Sequence, residues 1–186
     1  LSSVTELNND VFNDATINGE LNLSSLTAFN YNEFSTKCKS LGGELNLSSL
    51  ESVGDYAFQD ASINGELNLS SAQSVGDYAF QDATITGELN LSSAISVGEY
   101  AFQHASITGE LNLSNVTDLS DNVFQDATIN GDLNLSNLTA FNYRDFSANG
   151  GSLGGSLNLS SVTDLSDNAF RDASINGDLN LSSVTD

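Results

Sequence analysis

The sequence predicts a repeat solenoid, a coiled unit stacked on copies of itself, with a parallel β-sheet on one side and loops or short 3₁₀ or α turns on the other. Three observations predict it. The segment INGELNLSS at 63–71 returns with small changes eight times. The copies are evenly spaced: the segments end at Gly19, Gly43, Gly65, Gly87, Gly109, Gly131, Gly155 and Gly177, a period of 22 residues with two units of 24 ending at Gly43 and Gly155. Finally, apolar residues recur at fixed places in every unit, around an invariant Leu-x-Leu.

Periods of roughly 20 to 29 residues built on Leu-x-Leu are those of leucine-rich-repeat solenoids. The two longer units, 21–43 and 133–155, lie 112 residues apart, so a block of five units is itself repeated. The expectation is one continuous stack over 1–186 of about eight repeats, with no internal boundary. LSSVTE at 1–6 and LSSVTD at 181–186 occupy the same repeat position, and neither end looks like a cap. Leu1 is not a native start, so the chain reads as processed or as an excised part of a longer protein.

Within one coil, Asn64-Gly65 is a turn signal, with Gly65 expected at positive φ, and Glu66–Ser70 is a strand. Its period of two sends Leu67 and Leu69 inward and Glu66, Asn68 and Ser70 outward. Ala72, Val75, Ala79 and Phe80 then return at the spacing of helical or 3₁₀ turns, and Ala83 and Ile85 close the coil. A single coil offers about six inward residues at ~1.5–3 kcal/mol for each large side chain. That cannot offset ~1–2 kcal/mol of backbone entropy per ordered residue. Stability must therefore come from stacking.

Composition narrows the partners. With 25 acidic against four basic residues (Lys37, Lys39, Arg144, Arg171), the net charge of -21 argues against DNA, RNA and anionic membrane. The fixed apolar stripes argue against disorder. No apolar run approaches the ~20 residues of a membrane helix. Cys38 has no partner for a disulfide within the chain.

The run SVGDYAFQDASINGELNLS at 52–70 resembles the BspA-like leucine-rich repeats of surface proteins, above all in Val-Gly-Asp/Glu-Tyr-Ala-Phe at 53–58, 75–80 and 97–102. The departures are systematic. The Cys position of that pattern is Ala at 61, 83, 105, 127 and 173, a Ser stands for the Pro after the strand, and the unit is one residue shorter. The unit around Cys38 keeps both the Cys and the Leu spacing. The resemblance implies a curved solenoid with its parallel sheet on the concave side, exposed on a cell surface and adhering to host, matrix or other cells.

Outward positions of the strand form rows, and these are the candidate binding face. One row is acidic, with Glu44, Glu66, Glu88 and Glu110 continuing to Asp132 and Asp178 and interrupted by Ser156. A second is Asn, at Asn46, Asn68, Asn90, Asn112 and Asn134, and a third is Ser. Charges ~4.8 Å apart repel by about 1 kcal/mol in water, so the acidic row would gather cations. No EF-hand or nonapeptide Ca²⁺ repeat is present, and the row reads as solvated surface with no cofactor, Ca²⁺ being the ion it would attract. Stacked Asn amides would bond along the sheet; an Asn and Ser row could also bind sugars or order water. Each Asn-Leu-Ser is formally a glycosylation sequon, with two more at Asn115 and Asn137. Glycans on adjacent rungs would collide.

The pattern holds no catalytic constellation. His104 replaces the Asp of other units (Asp60, Asp82, Asp126, Asp172) and reads as a surface substitution; Cys38 reads as a packing thiol. The 24-residue units carry the irregular residues Tyr31, Phe34, Tyr143 and Phe146, with Lys37, Lys39 and Arg144, either as filling for a longer loop or as a contact patch. The functional expectation is a non-catalytic extracellular or cell-surface module binding a protein or glycan ligand. The alternative is a structural subunit joining its own copies end to end into a filament.

Overall fold

In a computed structural model, residues 1–7, 15–27, 38–141, 152–165, 167, 169–170 and 173–185 are described. The coils stack into a parallel β-solenoid. A first sheet of eight strands comprises Ala15–Ile17, Cys38–Leu41, Ser62–Ile63, Thr84–Ile85, Ser106–Ile107, Thr128–Ile129, Ser152–Leu153 and Ser174–Ile175. After a Gly corner comes the second sheet, also of eight: Leu21–Asn22, Leu45–Asn46, Leu67–Asn68, Leu89–Asn90, Leu111–Asn112, Leu133–Asn134, Leu157–Asn158 and Leu179–Asn180. Its register pairs each Leu with Leu and each Asn with Asn. A third column holds Ser52–Val53, Ser74–Val75, Ser96–Val97 and Asp118–Leu119 in one sheet, and Ala140–Phe141 with Asp164–Leu165 in another.

The predicted strand is the second sheet, with Leu67 and Leu69 fully buried. Where the sequence suggested helical spacing, the chain forms a strand followed by tandem β-turns. In the coil from Gly54, Ala57 N donates to Gly54 O, Gln59 N to Tyr56 O and Ala61 N to Phe58 O at 3.1–3.3 Å. The intervening amides of Tyr56, Phe58 and Asp60 donate instead to Asp77, Ala79 and Gln81 on the next rung, at 2.7–3.0 Å. Alternate amides thus close turns and tie rungs, so this stretch needs no helix to satisfy its backbone.

The first and third of these turns have positive φ at their third residue, a position usually taken by Gly or Asn. Here Tyr56, Tyr78, Tyr100 and Asn122 adopt it (φ 55 to 61°), as do Asp60, Asp82, His104 and Asp126 (φ 56 to 58°). The corner glycines do not. From Gly43 to Gly177, none of the glycines that end the repeat segments has φ in the left-handed region. Their reason is proximity: a Cβ on Gly87 would sit 2.4 Å from the carbonyl carbon of Gly65, and one on Gly65 2.5 Å from that of Gly43. The corner admits no side chain.

The central rungs contribute the same core, as the coil from Leu67 to Ile85 shows. Leu67, Leu69, Ala72, Val75, Ala79, Phe80, Ala83 and Ile85 are all at most 3% exposed. Phe58, Phe80, Phe102 and Phe124 stack face to face with centroids 5.0, 5.1 and 5.4 Å apart, and Phe141 stacks on Phe170 at 5.2 Å. Outside them runs a parallel stack of Tyr56, Tyr78 and Tyr100, at 5.0 and 5.1 Å. A glutamine ladder completes the turn region: Gln59 Nε2 donates to Gln81 Oε1, Gln81 to Gln103 and Gln103 to Gln125, at 2.8, 2.8 and 3.1 Å. Among the described residues no helix is long and apolar enough to cross a membrane.

Candidate binding surface

The second sheet carries the rows read from the sequence. Its backbone is held from rung to rung, with Leu67 N donating to Glu88 O at 2.8 Å and Leu69 N to Asn90 O at 3.0 Å. Glu44, Glu66 and Glu88 are half-buried at its entry, while Glu110, Asp132 and Asp178 are exposed. Among the described residues, no group of three or more His, Cys, Asp or Glu side chains is placed to hold a metal ion. Where Ser156 interrupts the acidic row, its amide donates to Asp132 Oδ1 at 2.8 Å, so this carboxylate secures the stack across the longer unit.

Asn46, Asn68, Asn90, Asn112 and Asn134 are half-buried, and their carbonyl oxygens face their own backbone. In every rung from Asn22 to Asn180, Asn Oδ1 accepts from the amide of the Ser two residues on, at 3.0–3.2 Å. This Asx turn, followed by a β-turn such as Ala72 N to Leu69 O at 3.0 Å, is how Asn-Leu-Ser-Ser ends the strand. Among the described residues, the side-chain bonding expected along the Asn row occurs only between Asn180 Nδ2 and Asn158 Oδ1, at 3.3 Å. The local turn claims the acceptor that a ladder would use. Amide stacking belongs instead to the glutamines, whose recurrence at 59, 81, 103 and 125 with the repeat period was the available signal.

Two open depressions lie on this face. One of about 390 Å³ is lined by Glu110, Asp132, Asn134, Ser156, Asn158, Asp178 and Asn180, together with Leu133 and Leu157. Another of about 260 Å³ is lined by Glu20, Leu21, Asn22, Glu44 and Asn46. Both offer carboxylates and side-chain amides, and the larger adds Ser156, so each presents a set of hydrogen-bond donors and acceptors to solvent.

Two carboxylates of the turn region hold backbone of the neighbouring rung. Asp55 Oδ1 accepts from Asp77 N at 2.9 Å and Asp77 Oδ1 from Glu99 N at 2.8 Å, so the Asp of Val-Gly-Asp-Tyr caps the amide of the next rung. His104 is exposed, its Nδ1 4.0 Å from Asp126 Oδ2, and Asp126 Oδ1 is buried with no hydrogen-bond partner among the described residues. That column follows from backbone shape, since Asp, Asn and His tolerate the left-handed conformation better than most residues. Asn115 and Asn137 are exposed, and Asn137 Nδ2 donates to Asn115 Oδ1 at 3.0 Å. Tyr31, Phe34, Tyr143 and Phe146, with Lys37 and Arg144 and the side chains of Cys38 and Lys39, lie outside the described residues.

The family model for the BspA type leucine rich repeat region matches the chain in six copies, over residues 1–84 and 51–176. No curated protein and no solved structure matches it.

Proposed function

The chain belongs to the BspA-type leucine-rich-repeat family, and from that premise we propose that it is a non-catalytic extracellular or cell-surface module for adhesion and interaction. Proteins of this family are often surface-associated and take part in protein interactions, and leucine-rich-repeat solenoids typically serve as interaction scaffolds rather than catalysts. The observation that carries the reading is the second sheet. Eight rungs in identical register present parallel rows of carboxylate, amide and hydroxyl groups along a face with open depressions. Such a face meets an extended partner at many equivalent points, and its acidic row favours a protein patch with compensating positive charge.

The test is biosensor binding of the immobilised chain to purified extracellular-matrix proteins and a glycan array. The expected result is saturable binding of at least one, weakened by Glu88→Lys and by raised salt. Signals no greater than those of the heat-unfolded chain across the whole panel would overturn the reading.

A second reading, end-to-end assembly into filaments, is favoured by the register: Leu pairs with Leu and Asn with Asn from Leu21↔Leu45 to Asn158↔Asn180, so each rung is complementary to every other. Negative-stain electron microscopy with and without Ca²⁺ separates the two. Long threads support assembly, and single short rods in both conditions remove it.

A further inference from the structure

Beside the acidic second sheet, the first sheet presents a face of a different kind. On four consecutive rungs its outward positions are Ser62 and Asn64, Thr84 and Thr86, Ser106 and Thr108, and Thr128 and Asn130. They alternate with Ile63, Ile85, Ile107 and Ile129, each at most 1% exposed. In a chain of net charge -21, these eight outward positions include no charged and no aromatic residue. Carboxylates flank them, at Asp60, Asp82 and Asp126 before the strands and at Glu66, Glu88, Glu110 and Asp132 after the corner.

We propose that this neutral two-row face binds the ordered water of an ice surface. The argument begins with what the face lacks. Protein interfaces are anchored by buried aromatic and Arg side chains, and phosphates by clustered positive charge; none of these occurs at the eight positions. Without an aromatic platform the face has nothing on which a sugar ring can stack. A second copy is also a poor fit. Four rungs ~4.8 Å apart and two rows ~6.8 Å apart cover roughly a few hundred Å² at most, short of the ~800 Å² per partner of a standard interface.

What the face has is a fixed two-dimensional array of hydrogen-bonding groups. Backbone amides beneath it are committed to the sheet: Thr84 N donates to Ala61 O, Thr86 N to Ile63 O, Ser106 N to Ala83 O and Thr108 N to Ile85 O, at 2.8–3.0 Å. The side-chain hydroxyls and amides are what remains to meet solvent. Thr108 Oγ1 donates to Thr86 O at 2.9 Å, which fixes its rotamer and leaves its oxygen free to act as an acceptor. Hydrogen-bonding groups thus recur every ~4.8 Å along each row and ~6.8 Å between the two rows, a regular two-dimensional array such as a crystalline water surface also presents. Uncharged groups held at such intervals can anchor lattice water without the disordering hydration shells of ions. The face does not depend on where the protein resides and is separate from the second sheet.

The experiment is ice-affinity partitioning of the purified chain into a slowly grown ice shell, with thermal hysteresis measured on the same sample. The expected result is enrichment in the ice fraction and faceted crystal growth. Thr84→Lys with Thr108→Lys should abolish both, while Glu88→Lys on the second sheet leaves both intact. Circular dichroism confirms folding, and Thr86→Lys alone serves if the double variant fails to fold. Exclusion of the wild-type chain from ice would overturn the proposal. So would retention that survives the lysines on the first sheet and is lost with the one on the second.

Discussion

Gly87 lies against Gly65 so closely that a Cβ on Gly87 would stand 2.4 Å from the Gly65 carbonyl carbon and 2.5 Å from its oxygen. The obstacle is corner backbone between two hydrogen-bonded ladders, and it cannot swing away. Gly87→Ala is therefore expected to destabilise the fold by about 3 kcal/mol, the upper end for overpacking. Gly19, whose Cβ would meet nothing within 4 Å, provides the control. Gly19→Ala should cost well under 1 kcal/mol, as surface substitutions do. Urea unfolding followed by circular dichroism measures both, and equal losses would show that the corner requires Gly for some reason other than contact.

Asn90 illustrates a different dependence on neighbours. Its Oδ1 accepts from Ser92 N at 3.1 Å, within its own rung. Asn90→Ala should cost about 1 kcal/mol, the net worth of a typical hydrogen bond. Asn90→Asp keeps the acceptor and removes the amide donors, so it should retain most of that stability at high salt, where repulsion from Glu88 is screened. Were the side chains chiefly a ladder between rungs, Asp would be as damaging as Ala, and paired melts of the two variants decide it.

The period, the Leu-x-Leu strand and the inward residues were legible in the sequence because burial repeats with the unit: Leu67, Leu69, Ala72, Val75, Phe80 and Ile85 each occupy the expected side. What was not legible depends on contacts between rungs. Asn64-Gly65 reads locally as a turn, and only the stacked neighbour shows that Gly is there for space. The spacing of Ala72, Val75, Ala79 and Phe80 suits a helix as well as a strand followed by turns. The tie from Phe58 N to Ala79 O at 2.7 Å, 21 residues along, settles it for turns. The acidic and Asn rows were legible as rows; their engagement in Asx turns and the amide cap from Ser156 to Asp132 were not.

Asp82 stands at φ 57°, where a Cβ is strained. Its backbone N donates to Gln103 O at 2.9 Å whatever the side chain. Asp82→Gly should therefore stabilise the chain, by up to about 1 kcal/mol after the greater freedom of Gly in the unfolded state is counted. Asp82→Val should destabilise it by about 1–3 kcal/mol, the cost of holding a side chain in a sparsely populated backbone region. Thermal melts at neutral pH give the order, and a valine variant as stable as the glycine one would remove backbone strain as the cause.

Tyr78 links the stack to alkaline pH. Desolvation in the tyrosine column raises its phenol above the ordinary value near 10.0, assisted by Tyr56, Tyr100, Glu99 and Asp77, which disfavour another negative charge. Above about pH 10 the unfolded chain gives up this proton while the folded chain holds it, so unfolding binds fewer protons and stability falls as pH rises. The contribution is complete below pH 10 and is lost as pH climbs through the raised value of the folded state. Tyr78→Phe keeps a ring between Tyr56 and Tyr100, 5.0 and 5.1 Å away in the native stack, and removes the ionisable group. Its melting temperature should match that of the wild type at neutral pH and decline less between pH 10 and the folded-state value. Parallel alkaline melting curves for the two proteins would place the loss of stability elsewhere than in Tyr78.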